Sequence, residues 1–322
     1  MNPIVADMKR FLLTIAFSSL AGCASMGQKA STVAATSTSL AALLAQLPGE
    51  YDNHAQIWQA QQAGNKLLPV HVRQNITRDD QESVWTWQLQ MGGRDGEVIT
   101  ARWRYSLRTL ENGNLQMIPS RALPAGSADE KARWAELMPC AMQGRAVSGR
   151  LQLAADKDAC GAIIAGLGSA AALLPLILDF DGKRLITQTY SDVARGPSAH
   201  QVGQRVRWYQ GWVAINGAGP EAEGDNKDWH MQRDIKLGNQ GQGIPIRWRD
   251  GTASGYSLKL ETLEYQKRNM QVLRLSLIRD QDGASVAYAW ADPESRQIGL
   301  NLGWVQTGLT RSADKQSASG SR

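Results

Sequence analysis

Three pairs of side chains in the sequence have types and spacing that could perform chemistry: the carboxylates Glu50 and Asp52, the carboxylates Glu261 and Glu264, and the arginines Arg102 and Arg104. Glu50 and Asp52 stand two residues apart, and side chains with that spacing share one face of a β-strand. Such a carboxylate pair can exchange protons with a substrate, although the same spacing is common on solvated surfaces. Arg102 and Arg104 repeat the spacing, and two guanidinium groups on one face would bind carboxylates. No serine-nucleophile, zinc-protease, redox-cysteine or phosphate-loop motif accompanies them.

Tryptophan is unusually frequent in the chain, which has 11 Trp and 3 Phe. An indole combines a large apolar surface with one hydrogen-bond donor, so these rings suit either a pocket for a flat amphipathic ligand or a wide β-core. The candidate ligand-binding residues are Trp85, Trp87, Arg102, Trp103, Arg104 and Tyr105. In "VITARWRYSL" the apolar residues alternate with the arginines, and the need to bury five apolar groups favours arginines on the outer face.

Period-two alternation broken by turn dipeptides dominates the chain. "SVWTWQLQ", "YSLKLETLEY" and "MQVLRLSLIR" are further examples, and six Asx-Gly dipeptides between such runs predict type I′ hairpins. The dipeptides begin at Asp95, Asn112, Asp181, Asn216, Asp250 and Asp282. The pattern predicts a mainly β fold, an antiparallel meander forming a calyx-like barrel. The C-terminal half either enlarges the barrel or forms a second β-domain.

Helical patterns are sparse. "TSLAALLAQL" from Thr38 and "ADEKARWAELM" from Ala128 predict two short helices. The uncharged run 161–178 passes a length test for a membrane span. Its glycines and proline instead favour a loop or short helix over 162–172 and a strand over 173–180.

The N-terminus has the features of an export signal. Lys9 and Arg10 precede a short apolar run, and Leu20-Ala21-Gly22-Cys23 resembles the lipobox of bacterial lipoproteins. That resemblance implies removal of residues 1–22 and lipidation of Cys23, and Ala24 favours the periplasmic face of the outer membrane. The small and polar composition of segment 23–37 then predicts a flexible tether, and that of segment 311–322 predicts a disordered tail. In this oxidising compartment Cys140 and Cys160 are expected to form a disulfide.

The segment "LAALLAQLPGEYDNHAQ" resembles the start of the CpeT/CpcT family of phycobiliprotein (chromophore) lyases. The residues that match the family motif are Gly49, Glu50, Tyr51, Asp52, Asn53 and Gln56. Arg102 and Arg104 match a double arginine of the family, whereas an expected glutamate falls at Trp87 or Gln88. The resemblance covers residues 40–195 and implies a barrel over 38–198, with an additional antiparallel region over 199–310. It also implies inward-facing arginines, dimers, and attachment of an open-chain tetrapyrrole to an acceptor cysteine.

We therefore expect a lipid-anchored periplasmic barrel that binds a tetrapyrrole-like or other apolar ligand and requires no cofactor or metal. The sequence does not decide whether the protein has lyase activity. The compartment argues against this activity, because phycobiliproteins are assembled in the cytoplasm and this chain carries an export signal. The alternative is a structural or assembly lipoprotein that docks an envelope or acceptor protein without catalysis. A homodimer is compatible with either function. The net charge of +5 is mild and the charges are interleaved, which argues against nucleic-acid binding.

Overall fold

Short alternating strands build most of the chain. The structure is a computed structural model and describes residues 39–79, 84–92, 98–123, 134–167, 169–195, 199–223, 225–265 and 270–313. Within these residues the strands are β1 (Gly49–Asp52), β2 (His71–Arg78), β3 (Val84–Gly92), β4 (Val98–Thr109), β5 (Leu115–Ala122), β6 (Trp134–Glu136), β7 (Met142–Val147), β8 (Arg150–Ala154), β9 (Pro175–Phe180), β10 (Arg184–Thr189), β11 (Gln201–Arg205), β12 (Trp208–Asn216), β13 (Trp229–Gly238), β14 (Gln240–Arg247), β15 (Ala253–Tyr265), β16 (Met270–Arg279), β17 (Ala284–Ala291), β18 (Gln297–Asn301) and β19 (Val305–Arg311). The helices are α1 (Leu40–Gln46), α2 (His54–Gln62), α3 (Lys157–Ile164) and α4 (Tyr190–Arg195), with 3₁₀ turns at Met138–Cys140, Ser169–Leu173 and Gly219–Glu221.

Ten of these strands close into an antiparallel barrel. Around the barrel the order is β1, β2, β3, β4, β5, β7, β8, β9, β10 and β11, and β11 pairs again with β1. The short β6 pairs with the end of β5. The predicted mainly β, calyx-like barrel with short helices is confirmed. The closing strand β11 lies beyond residue 198, where the sequence had placed the end of the barrel.

The strands after β11 do not enlarge the barrel. They form two four-stranded antiparallel sheets, with the orders β13-β12-β19-β18 and β14-β15-β16-β17. Their apolar faces meet in a second core that includes Tyr209, Ile215, Leu260, Leu275 and Val305. Of the two arrangements that the sequence left open, the structure therefore has a separate β-region, here called the C-terminal sandwich.

The Asx-Gly dipeptides do mark turns between paired strands, but not turns of the predicted type. A type I′ turn requires positive φ at both central residues. Gly182 and Gly251 have positive φ of 90° and 86°, but Asp181 and Asp250 before them do not have positive φ. Type I′ geometry is therefore wrong for these turns. Each aspartate instead accepts from the backbone N–H two residues on, at 2.9–3.0 Å, which is an Asx-turn. The dipeptide at Asp95 lies outside the described residues.

One predicted helix is right and one is wrong. Ser39 caps α1 by accepting from the N–H of Ala42 at 3.2 Å, as expected of a serine before an apolar helix. The helix predicted from Ala128 is contradicted at Trp134–Glu136, which is strand β6, while residues 124–133 lie outside the described part. Pairing with β5 and a 2.8 Å bond from Arg108 to Glu136 outweigh the local helical pattern.

The uncharged run 161–178 folds as the end of α3, a 3₁₀ turn and most of β9. No helix within the described residues is long and apolar enough to cross a membrane. Cys140 and Cys160 are disulfide-bonded, which confirms the predicted pair and fastens the Met138–Cys140 turn to α3. Closing a loop of this separation contributes about 3 kcal/mol in the chain-entropy account.

Candidate functional site

The aromatic residues predicted to bind a ligand fill the interior of the barrel. Trp85, Trp87, Trp103 and Tyr105 are all at most 5% exposed and belong to one apolar core. Trp87 Nε1 donates to Gln74 Oε1 at 3.1 Å, and Gln74 donates in turn to Thr187 on β10 at 3.0 Å.

Two donors in this interior lack an acceptor. Trp103 Nε1 and the Tyr105 hydroxyl are buried without a hydrogen-bond partner among the described residues. Burial also raises the pKa of Tyr105 well above its ordinary value, so this hydroxyl keeps its proton. A cavity of about 190 Å³ lies at one end of the barrel, where Leu44 of α1 and Trp85 are among its lining residues.

Arg102 and Arg104 lie on the opposite face of β4 from Trp103 and Tyr105. Arg102 is exposed, and the Arg104 guanidinium lies 5.7 Å from the centre of the Trp134 ring. The orientation that alternation favoured is the one observed, because burying the apolar side of β4 leaves the arginines outside. The six candidate residues therefore do not converge on one site.

The residues of the family-like motif fasten α2 and β1 to their neighbours. Asn53 donates to the Val70 carbonyl and the Gln201 side chain, both at 2.8 Å, and accepts from the Val72 N–H. Gln56 makes two bonds to the backbone of the chain around β11. These contacts explain why an amide is present at both positions.

Gly49 and Tyr51 of the motif form a cradle for Arg205. The Arg205 guanidinium donates to the Pro48 carbonyl at 2.8 Å and to the Tyr51 hydroxyl at 2.6 Å, and also contacts the Gln46 carbonyl. The backbone at Gly49 has φ of 154°, a conformation that side chains rarely adopt, and a Cβ there would also displace this guanidinium, so the position favours glycine. Burial raises the pKa of Tyr51, and the nearby Arg205 charge only partly offsets that effect.

Asp52 is a buried carboxylate whose oxygens are fully engaged. It is 2% exposed and accepts from His71 Nε2 at 2.9 and 3.0 Å, from Arg73 Nε at 3.0 Å and from the His54 N–H at 2.8 Å. With the Gln242 amide oriented so that its oxygen faces Arg73, the same guanidinium also binds Gln242 of the C-terminal sandwich.

Residues of β1–β3 and of the C-terminal sandwich line an open cleft of about 320 Å³, here called the interface cleft. This volume lies at the lower end of the range for small-molecule sites, about 300–1,000 Å³. The residues that line it are Glu50, Tyr51, Asp52, Arg73, Gln74, Asn75, Gln88, Gln90, Val206, Trp208, Gln240 and Gln242. Carboxylates, amides, a guanidinium and an indole are thus brought together from two regions distant in sequence.

Among the residues of the interface cleft, Gln240 has unusual hydrogen bonding. Its side chain is 3% exposed, and Oε1 is buried without a hydrogen-bond donor among the described residues. A buried acceptor without a partner costs about 1–3 kcal/mol. Trp208 lies nearby, with Nε1 donating to Glu50 at 3.2 Å and the Lys236 ammonium 4.3 Å from its ring centre.

A buried charge cluster holds the two walls of the cleft together. Glu261 is 0% exposed and accepts from His54 Nε2 at 2.9 Å and from Arg274 Nη2 at 2.5 Å. It also forms an ion pair with Lys259 Nζ at 3.0 Å. Burial alone would raise its pKa, but these partners outweigh burial and lower the pKa from 4.5 to about 2. Because His54 belongs to α2 on the barrel side, the cluster fixes the cleft in a preformed shape.

Glu50 and Asp52, which stand out in the sequence by their spacing, do line the cleft, whereas Trp208, Gln240 and Gln242 were not expected there. The run "NQGQG" at 239–243 breaks the alternation of the strands, and this was the available signal. No family model, curated protein or solved structure matches the chain.

Proposed function

We propose that this protein is a binding protein that holds a small hydroxyl-rich ligand, of the saccharide class, in the interface cleft. The Gln240 side chain, which lines the cleft, carries the proposal: its Oε1 is buried without a donor, and a turn of the amide toward the cleft would let a ligand hydroxyl donate to it. Asn75, Gln88 and Gln90 line the same cleft, and each amide can donate and accept at once, as vicinal hydroxyl groups require.

The lining of the cleft also favours binding over catalysis. The Asp52 carboxylate is committed to two histidine contacts and Arg73, and the Glu50 carboxylate accepts from Trp208. Neither is presented as an uncommitted acid or base. A cleft whose walls are paired strands binds a ligand without the cost of ordering a loop, which suits a carrier or receptor.

Replacing Gln240 with methionine tests the proposal. Methionine keeps the length of the side chain and removes the unpartnered oxygen, so the free energy of unfolding should be unchanged or raised. Binding of cellobiose, measured by isothermal titration calorimetry, should weaken about fivefold, the effect of one lost hydrogen bond. A residue retained only for stability would give the opposite pattern.

The matched control is Gln143→Ala on β7, an exposed glutamine outside the cleft, compared with Gln88→Ala within it. Gln88→Ala should weaken cellobiose binding and Gln143→Ala should not. The proposal fails if cellobiose, maltose and chitobiose show no saturable binding, or if Gln240→Met and Gln88→Ala bind them as tightly as the unaltered protein.

A second candidate function is the tetrapyrrole-like ligand expected from the sequence, bound inside the barrel. The unpartnered donors Trp103 Nε1 and Tyr105 hydroxyl favour it, since lactam carbonyls of an open-chain tetrapyrrole could accept from both. Against it stands the filled interior, which would have to repack. Biliverdin is therefore the second probe in the same titration, and a shift of its visible band on binding would support this site.

We place the protein in the cell envelope, anchored through Cys23 to the outer membrane. The support is the lipobox-like Leu20-Ala21-Gly22-Cys23 sequence, which lies outside the described residues. Several acyl chains at about 0.8 kcal/mol per buried CH₂ give a stable anchor. Mass spectrometry of the mature N-terminus should find acylated Cys23 as the first residue, and Cys23→Ser should abolish the modification. Recovery of unmodified chains that still contain the segment before Cys23 would contradict the anchor.

A further inference from the structure

The outer faces of four neighbouring barrel strands carry a continuous polar row that extends beyond the interface cleft. In the pairing of the strands, Glu50 lies opposite Asn75, Asn75 opposite Gln88, and Gln88 opposite Arg102. The first three residues line the cleft, and Arg102 is their next neighbour on β4. Adjacent strands are about 4.8 Å apart, so the Arg102 side chain begins one strand spacing from the cleft wall.

This polar row has opposite charges at its two ends. Glu50 lies at the β1 end, where Trp208 donates to its carboxylate at 3.2 Å. Arg102 lies at the β4 end and is exposed. Between them stand two neutral amides, Asn75 and Gln88, so a ligand along the row meets an acceptor first, then amides, then a cation.

The other cations near the cleft are already occupied. Arg73 is bound to Asp52 at 3.0 Å and to Gln242, so its charge is compensated. The Lys236 ammonium lies over the Trp208 ring. Arg104, two residues from Arg102, belongs to the next row, opposite Thr86, and its guanidinium lies over Trp134. Among the described residues, Arg102 is therefore the cation that the polar row presents to a ligand.

We infer that the ligand of the cleft is an acidic saccharide whose carboxylate binds Arg102 while its hydroxyl groups bind Asn75, Gln88 and Gln240. This inference rests on the proposed function and specifies the ligand class. A guanidinium presents two parallel N–H donors that match both oxygens of a carboxylate. The row also fixes the direction of the ligand, with the carboxylate over β4 and the hydroxyl groups toward Glu50 on β1.

Cellobiose and cellobiouronic acid form a suitable pair of probes, because they differ in one hydroxymethyl group that is a carboxylate in the acid. With the intact protein, calorimetry should show about tenfold tighter binding of the acid, as expected for a charge-assisted hydrogen bond in a partly exposed site. In Arg102→Gln the two affinities should become equal, with cellobiose affinity unchanged within about twofold. Raising the salt concentration should reduce the preference for the acid in the intact protein only.

Arg145→Gln is the matched control, since Arg145 is an exposed arginine on β7 and its removal changes the net charge equally. It should keep the preference for the acid. Equal affinities for both probes in the intact protein, with binding still weakened by Gln240→Met, would overturn the acidic ligand and leave the saccharide cleft standing. If Arg145→Gln lost the preference for the acid to the same extent as Arg102→Gln, the preference would come from net charge, and the proposed role of Arg102 would be overturned. Failure of both probes to bind would overturn the cleft and this inference together.

Discussion

Replacing Glu261 with alanine is expected to lower the free energy of unfolding by about 3–5 kcal/mol, the cost of breaking a buried ion pair from one side. The substitution leaves Lys259 and Arg274 without the carboxylate that compensates them and removes the acceptor of His54. Because His54 lies on the barrel and Glu261 on the C-terminal sandwich, the interface between them should weaken most. Urea denaturation followed by circular dichroism measures the effect.

Glu264→Ala provides the matched control on the same strand. Glu264 accepts from Gln59 at 3.1 Å and is only partly buried, so its removal should cost less than about 1 kcal/mol. A Glu261→Ala variant as stable as Glu264→Ala would contradict the role assigned to the charge cluster.

The pH dependence of stability follows from the same cluster. The pKa of Glu261 is lowered from 4.5 to about 2 in the folded protein, so the folded state favours the ionised carboxylate. This contribution is complete above pH 4.5 and is lost as the pH falls toward 2, and it amounts to about 3 kcal/mol. Glu261→Gln should therefore show a shallower loss of stability between pH 4.5 and 2 than the unaltered protein. Parallel curves for the two proteins would contradict this assignment.

Replacing Trp87 with alanine should also destabilise the protein strongly, by about 3–5 kcal/mol. Trp87 is 0% exposed, its ring centre lies 5.7 Å from that of Tyr105, and its Nε1 donates to Gln74. The substitution opens a cavity in the barrel core and leaves Gln74 Oε1 without this donor. Thermal and urea unfolding measure the loss.

Trp290→Ala is the comparison, because Trp290 is 51% exposed on β17. It should cost about 1 kcal/mol or less. If Trp87 instead served mainly to bind a ligand, Trp87→Ala would change biliverdin binding while the free energy of unfolding stayed close to that of Trp290→Ala.

The strand pattern of the sequence predicts more of the fold than of the site. Alternation in β4 is enough to place Trp103 and Tyr105 inside and Arg102 outside, because only one face of a barrel strand can be buried. The same local pattern could not show that Trp134–Glu136 pairs with β5, since that choice depends on a distant strand. The local pattern also could not predict the turn type, because the aspartate side chains form Asx-turns that compete with the backbone geometry suggested by the dipeptide.

The interface cleft could be predicted only in part. Glu50 and Asp52 stood out by their spacing, but Trp208 and Gln240 reach them through the packing of the C-terminal sandwich on the barrel. No periodicity within either segment encodes that contact. The motif residues Asn53 and Gln56 have a local explanation that the sequence alone did not reveal, since their partners lie on β2 and around β11.

Binding in the interface cleft can be followed through the indole resonances of nitrogen-15-labelled protein. During titration with cellobiouronic acid, the Trp208 Nε1–H resonance is expected to shift with saturation while those of Trp85, Trp87 and Trp103 stay in place. Saturable shifts confined to the three barrel tryptophans, with either the acid or biliverdin, would place the ligand inside the barrel and contradict binding in the cleft. An unshifted Trp208 resonance at saturating acid would contradict it equally.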